Sequence, residues 1–245
     1  GIWDGDGFAA FQKLVLQSPK VDACMSREIQ TFIANLNENY AERETEGSFT
    51  TINEFLSYGN LTYYSLQEFE SFLIQQCNAT EEYRDTLVAP IVRAIYDQPM
   101  NLTSFAGEVS LLAIFTPAMW AANGNSQLPK QMFIKSNSLV HLNTKIDTVS
   151  WNGEKFTLTY NGTSTHTSDY LVLAAPIEKV DIEFENVTFT QSITYRNFVH
   201  CYVTHVQAQG MNPEYFGLPA GSEVPDSVLT TPNSQLPFTI ASISM

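Results

Sequence analysis

Residues 146–176 read Ile146-Asp-Thr-Val-Ser-Trp-Asn-Gly-Glu-Lys-Phe-Thr-Leu-Thr-Tyr160-Asn-Gly-Thr-Ser-Thr-His-Thr-Ser-Asp-Tyr-Leu-Val-Leu-Ala-Ala-Pro176, and the fold class turns on their punctuation. Ile146 to Trp151, Glu154 to Tyr160 and Thr163 to Ala174 are runs of strand-forming residues. Between them stand Asn152-Gly153 and Asn161-Gly162, the dipeptide that supplies two positive-φ residues to a type I′ hairpin. The spacing predicts a three-stranded meander. Its last run loses alternation at Tyr170-Leu-Val-Leu-Ala-Ala-Pro176 and becomes apolar on both faces, as a strand does in the middle of a covered sheet.

Upstream of the meander the periodicity is helical. Ser18 with Pro19 makes an N-cap and first-turn pair, and Val21, Cys24, Met25, Ile29, Phe32, Ile33, Leu36 and Tyr40 follow at helical spacing until the polar stretch 41–47. Thr51 with Glu54 and Ser65 with Glu68 are capping boxes that each predict a short helix, the second flanked by Tyr64 and Phe69 in staple positions. Thr80 opens another helix, which Pro90 must kink or end. Ser104 to Phe115 predicts one more, this time strongly apolar. Downstream of Pro176, Arg196 to Val206, Val228 to Thr231 and Phe238 to Ser244 read as strands. The expected organisation is therefore a mainly helical part over 1–136, a meander with a strand leading into a larger sheet over 137–176, and a β-rich, truncated part over 177–245.

The 245 residues carry 12 basic and 26 acidic side chains, a net charge of −14, which argues against nucleic acid and anionic membranes as partners because both demand clustered Lys and Arg. No apolar run approaches the roughly 20 residues of a membrane span; 109–115 is short and lies between Glu108 and Pro117. Cys24, Cys77 and Cys201 have neither redox-motif nor zinc spacing and read as buried free thiols. Asp4-Gly5-Asp6-Gly7 resembles the start of a calcium loop, but position 12 of such a loop is Val15 where a bidentate Glu is needed, so no metal is assigned. His200, Cys201 and His205 lie close in sequence without an evident third ligand on one face. Five N-glycosylation sequons stand at Asn60, Asn78, Asn101, Asn161 and Asn186, and favour a secretory or lysosomal route. No nucleophile elbow, zincin motif, Walker loop or G-x-G-x-x-G occurs, so any chemistry is borrowed from a cofactor. Phe105, Leu111, Leu112, Ile114, Phe115, Met119 and Trp120 suit either an apolar substrate tunnel or an ordinary core, the core being the commoner place for such residues.

Leu142-Asn-Thr-Lys-Ile146-Asp-Thr-Val149, the meander and Asp169-Tyr-Leu-Val-Leu-Ala-Ala-Pro176 resemble the segment by which amine-oxidase-type flavoproteins return from the substrate domain to the FAD domain. Ile2-Trp3-Asp4-Gly5, Ala89 to Gln98, Phe105-Ala-Gly-Glu-Val-Ser110, Trp120-Ala-Ala-Asn-Gly124-Asn125, Tyr215-Phe-Gly-Leu-Pro219 and Val228-Leu-Thr-Thr231 are similar in order and spacing to the prenylcysteine oxidase family. The family usually reads Glu-Gly-Gly-Asn where this chain has Ala122-Asn-Gly-Asn125, and Tyr-Gly-Gln at Tyr96-Asp-Gln98.

The resemblance implies an α+β or α/β, two-domain FAD-dependent oxidoreductase: a glutathione-reductase-like FAD/NAD(P)-binding fold with a helical plus β substrate domain. The N-terminal Rossmann βαβ unit and the C-terminal FAD segment are missing from these residues. It implies non-covalent FAD, with Ile146, Ala174, Ala175 and Pro176 near the cofactor and Phe105, Trp120, Gly124 and Asn125 toward the substrate. The implied reaction cleaves the thioether of farnesyl- or geranylgeranyl-cysteine with O2, giving a prenyl aldehyde, cysteine and H2O2. On this reading the chain is an internal piece that binds no FAD alone. Other readings are a different amine-oxidase-like FAD oxidoreductase and a non-catalytic secreted glycoprotein that binds lipid or peptide.

Overall fold

The computed structural model of the chain describes residues 1–8, 18–41, 47–115, 122–234 and 236–242, with the side chains of 113–115 outside that description. In chain order the elements are β1 (Ile2–Trp3), α1 (Pro19–Ala41), α2 (Ile52–Tyr58), α3 (Thr62–Leu66), α4 (Phe69–Cys77), α5 (Glu81–Tyr83), α6 (Ala89–Tyr96), α7 (Ser104–Phe115) and α8 (Gln127–Lys135). Then follow β2 (Ile146–Trp151), β3 (Phe156–Tyr160), β4 (Ser164–Ser168), β5 (Glu183–Glu185), β6 (Ser227–Thr230) and β7 (Ile240–Ser242). Two compact units result, Gly1–Ala118 with Val199–Met245, and Met119–Phe198. The divisions expected at 136 and 176 differ from these: residues 199–245 return to the helical unit through a parallel pair of β6 with β1 that no local pattern announces.

In the helical unit α1 buries Val21, Cys24, Met25, Ile29 and Phe32, the apolar stripe its spacing predicts, while Tyr40 is left exposed. The Thr51–Glu54 capping box forms as expected. The Ser65–Glu68 box does not: Ser65 lies inside α3 with its hydroxyl donating to the Thr62 carbonyl, and Glu68 instead accepts from the Ser71 hydroxyl. The start of α4 is held from elsewhere. Phe69 N–H donates to the Leu102 carbonyl at 2.8 Å and Ser104 N–H to the Gln67 carbonyl at 2.8 Å, a short antiparallel bridge that ties the beginnings of α4 and α7 together. Before Pro90 the helix widens into a π turn over Arg84–Val88, which accommodates the missing donor and lets the helix continue as α6.

The apolar helix α7 packs against α1, α3, α4 and α6, which is why it needs no polar face. Gly107 is what permits the approach. A Cβ there would lie 2.2 Å from the Phe69 ring, far inside contact distance. The thiols of Cys24 and Cys77 are not free, correcting the expectation: they form a disulfide between α1 and α4 with Cα atoms 5.5 Å apart. The sequence separation of 53 hides the pair, and the chain-entropy account assigns such a loop about 4 kcal/mol. Cys201 is free and exposed. In the same unit β6 pairs antiparallel with β7, and Trp3, Phe216 and Val228 form a second small core.

In the other unit the sheet order is β4-β3-β2-β5, with the meander antiparallel as expected and β5 added parallel to β2. The turns differ from the expected type. Only Gly153 has positive φ in the first, a four-residue connection in which the Asn152 carboxamide accepts from the Glu154 and Lys155 N–H groups. Asn161 and Gly162 both have positive φ, within a three-residue connection.

Two expected strands do not form. β4 ends at Ser168, so the expected continuation of its strand over 169–174 is unpaired, with Tyr170 and Val172 exposed. Arg196 to Val206 is likewise unpaired, with Tyr202 and Val203 exposed, and the alternation that put Cys201 and His205 on one strand face has no ladder behind it. Strand propensity expresses packing against neighbours, and no described segment pairs with either run.

Gly107→Ala is expected to destabilise the helical unit by about 3 kcal/mol through overpacking against Phe69. Urea unfolding followed by far-UV circular dichroism measures it. An unchanged midpoint would mean that the ring can step aside.

Candidate functional site

An apolar cavity of about 220 Å3 opens in the sheet unit. Its floor is β2 and β3, through Ile146, Val149 and Leu158, and its wall is the unpaired run 171–175 followed by the 3₁₀ turn Ile177–Lys179. Val149 is completely buried, while a register shift between Ile146 and Thr148 marks the entry to β2. Three of the four residues expected near a cofactor, Ile146, Ala174 and Ala175, line this one cavity. Pro176 adjoins it, with its carbonyl accepting from Lys179 N–H at 2.8 Å. The small Ala174 and Ala175 side chains leave a slot that larger residues would fill.

The lining is hydrocarbon throughout, and no charged side chain contributes to it. The ion pairs Lys145–Asp181 and Lys155–Asp169 in the same unit are largely exposed and add little. The donor set fits the flat apolar faces of one heteroaromatic ring. It does not fit a pyrophosphate, which needs a glycine-rich turn at a helix N-terminus or basic side chains. At this volume the cavity also falls short of the roughly 300–1,000 Å3 that encloses a larger ligand.

The residues expected toward the substrate are dispersed. Phe105, on α7 in the helical unit, is half-buried and packs edge-on against Phe32 with ring centroids 5.1 Å apart. Leu111 is fully buried beside it in the core, and Leu112 partly so. Gly124 and Asn125 belong to the sheet unit, in an exposed turn whose carbonyls accept from the Gln127 and Leu128 N–H groups, with Gly124 at φ 96°. Met119 and Trp120 lie outside the described residues. All five sequon asparagines are exposed, and Asn60, Asn78, Asn161 and Asn186 have positive φ at turns or helix ends. Asp4 of the acidic loop is occupied locally, its carboxylate accepting from the Asp6 and Gly7 N–H groups.

The prenylcysteine lyase family model matches residues 12–245, nearly the whole chain. The chain belongs to the prenylcysteine lyase family. It is 30% identical to farnesylcysteine lyase of Arabidopsis thaliana over 223 residues, covering 89% of this chain and 43% of that protein. It is 25% identical to the prenylcysteine oxidase 1-like protein of Mus musculus (75% of this chain, 40% of that protein) and 24% identical to prenylcysteine oxidase 1 of Homo sapiens (66% and 35%). The chain thus spans less than half the length of these relatives. Among solved structures, a triple mutant of putrescine oxidase redesigned in its cofactor binding is similar at TM-score 0.44 and 18% identity, over 74% of this chain and 39% of that one. A double mutant of the same oxidase gives 0.46 and 17%, over 69% and 38%.

This member of the prenylcysteine lyase family also carries a buried carboxyl group that was not singled out as a site residue. Glu108 is the lone charge in the apolar run Ser104–Phe115, a signal visible in the sequence. It is 1% exposed, and its Oε2 has no hydrogen-bond partner among the described residues. Burial first, and then the Glu28 carboxylate on α1, push its pKa up to about 8. Tyr64 on α3 completes the cluster; its hydroxyl hydrogen-bonds Glu28, and burial with the Glu28 and Glu108 charges lifts it to about 12.

Because Glu108 holds its proton more tightly folded than unfolded, the stability it contributes is fully present below the ordinary carboxyl range and is lost as pH rises toward about 8. Each unit of that difference is worth about 1.4 kcal/mol. The urea midpoint is therefore expected to fall between about pH 5 and 8, and Glu108→Gln to hold it level over the same interval. A wild-type profile as level as the variant's would sink this account.

Proposed function

We propose that this chain is part of an FAD-dependent oxidase that cleaves the thioether of a prenylcysteine, farnesyl- or geranylgeranyl-cysteine, with O2 to give a prenyl aldehyde, cysteine and H2O2. The observation that carries the proposal is the family match across residues 12–245. The farnesylcysteine and prenylcysteine named in the relatives supply the substrate class.

The flavin, when bound, supplies the two-electron acceptor for the substrate carbon beside sulfur. The chain's own residues contribute binding. Ile146, Leu173, Ala174 and Ala175 offer an apolar slot suited to the purine end of the cofactor. Phosphate binding is left to other residues, since neither a glycine-rich turn nor a basic side chain lines the slot. Phe105, Trp120, Gly124 and Asn125 remain the candidates toward the substrate. Little side-chain acid or base help is required, because sulfur and the allylic double bond stabilise the cation that hydride loss creates, and water then adds to give a hemithioacetal that collapses.

A secretory or lysosomal setting belongs to the same proposal. The Cys24–Cys77 disulfide fits an oxidising compartment, the five sequon asparagines are exposed, and the stability that Glu108 contributes is greatest in acid. No helix among the described residues is long and apolar enough to cross a membrane.

The full-length protein is expected to release one H2O2 per farnesylcysteine consumed, measured by a peroxidase-coupled assay, and none with putrescine or benzylamine. Turnover of the amines with no turnover of farnesylcysteine would instead favour an amine oxidase.

A further inference from the structure

Arg93 stands in the last turn of α6, half-buried, with Nη1 donating to the Thr230 carbonyl at 3.3 Å. The other described arginines have acidic partners: Arg27 with Glu28, Arg84 with Glu70 and Arg196 with Glu178. Arg93 has none among the described residues, in a chain with 26 acidic and 12 basic side chains. A guanidinium is always charged, and removing it from water without a counterion is unfavourable. The end of α6 accounts for part of its placement, since a cation there offsets the helix dipole. That role and the bond to Thr230 use one edge of the group. A guanidinium carries five N–H donors in a fixed fork that matches a carboxylate, and most of these remain open.

The Thr230 carbonyl that Arg93 meets belongs to a buried polar stretch held by a distant piece of chain. Thr230 is completely buried, and Thr231 and Ser234 nearly so. Thr231 N–H donates to the Trp3 carbonyl at 3.0 Å, and Gly5 lies against the Ser234 backbone so closely that a Cβ would sit 3.2 Å from the Ser234 carbonyl oxygen. Three of the stretches that carry the family resemblance are therefore joined one to the next: Arg93 of Ala89 to Gln98 bonds to Val228 to Thr231, which in turn bonds to Ile2 to Gly5.

We propose that Arg93 binds the α-carboxylate of the cysteine moiety through the guanidinium edge that Thr230 leaves open, an assignment that rests on the reaction proposed above. It makes the enzyme selective for the free amino acid: a prenyl thioether whose carboxylate is absent or esterified loses the ion pair while keeping its apolar contacts.

The test uses the full-length protein with S-farnesylcysteine and with S-farnesylcysteamine, which keeps the thioether and amine but lacks the carboxylate. Wild type is expected to lose roughly 30-fold in kcat/KM on the cysteamine, the range of a charge-assisted hydrogen bond. Arg93→Gln removes the charge and the guanidinium fork and keeps a polar amide on a shorter side chain. It is expected to raise KM for farnesylcysteine by a similar factor at unchanged kcat, to leave the cysteamine unaffected, and to be partly rescued by Arg93→Lys. Equal losses on both substrates would make Arg93 a support for β6 and overturn the proposal, as would a wild type indifferent to the carboxylate. A wild type that oxidises neither thioether removes the reaction itself, and this assignment with it.

Discussion

The backbone of α7 lies against the face of the Phe69 ring because Gly107 has no side chain, and the helical unit is arranged around that contact. It fixes α7 over α4, and the short bridge between Glu68 and Thr103 fixes the same two helices at their starts. The disulfide from Cys77 then ties α4 to α1. With α7 so placed, its remaining faces must be apolar or neutral. Leu111 meets that requirement directly, and Glu108 meets it by keeping its proton.

The sequence was legible where the signal is local. Helix α1 follows its apolar stripe, the Thr51–Glu54 box forms, and the meander needs only adjacent strands and the asparagine-glycine turns. It was misleading where a local pattern depends on a distant partner. Tyr170 to Ala174 and Arg196 to Val206 have the composition of strands, but a strand exists only with a neighbour to bond to. The reverse failure is β1, two residues long and invisible to periodicity, which is a strand solely because β6 lies beside it. Cys24 and Cys77 were misread for the same reason, since their proximity is a consequence of helix packing and not of spacing.

Of the candidate site, the cofactor-side residues Ile146, Ala174, Ala175 and Pro176 were named from the family resemblance; the folded chain sets the first three around one cavity without any strand forming at 174 and 175. The substrate-side names were carried by resemblance alone, and Phe105 sits in the helical core against Phe32. Arg93 and Glu108 went unnamed because a single charged residue in an apolar helix has no motif to announce it. Their meaning lies in what they lack among the described residues, a counterion for one and a hydrogen-bond partner for one oxygen of the other.

The proposed place of the cofactor on this chain depends on the hydrocarbon slot walled by Ala174 and Ala175. The most direct measurement is the flavin content of the full-length protein carrying Ala174→Trp, read by absorbance against protein concentration, with far-UV circular dichroism as the folding control. Ala174 is exposed, so the larger side chain can be carried without disturbing a core. The account predicts a folded protein that has lost its flavin. A folded variant that keeps flavin near stoichiometry would contradict it.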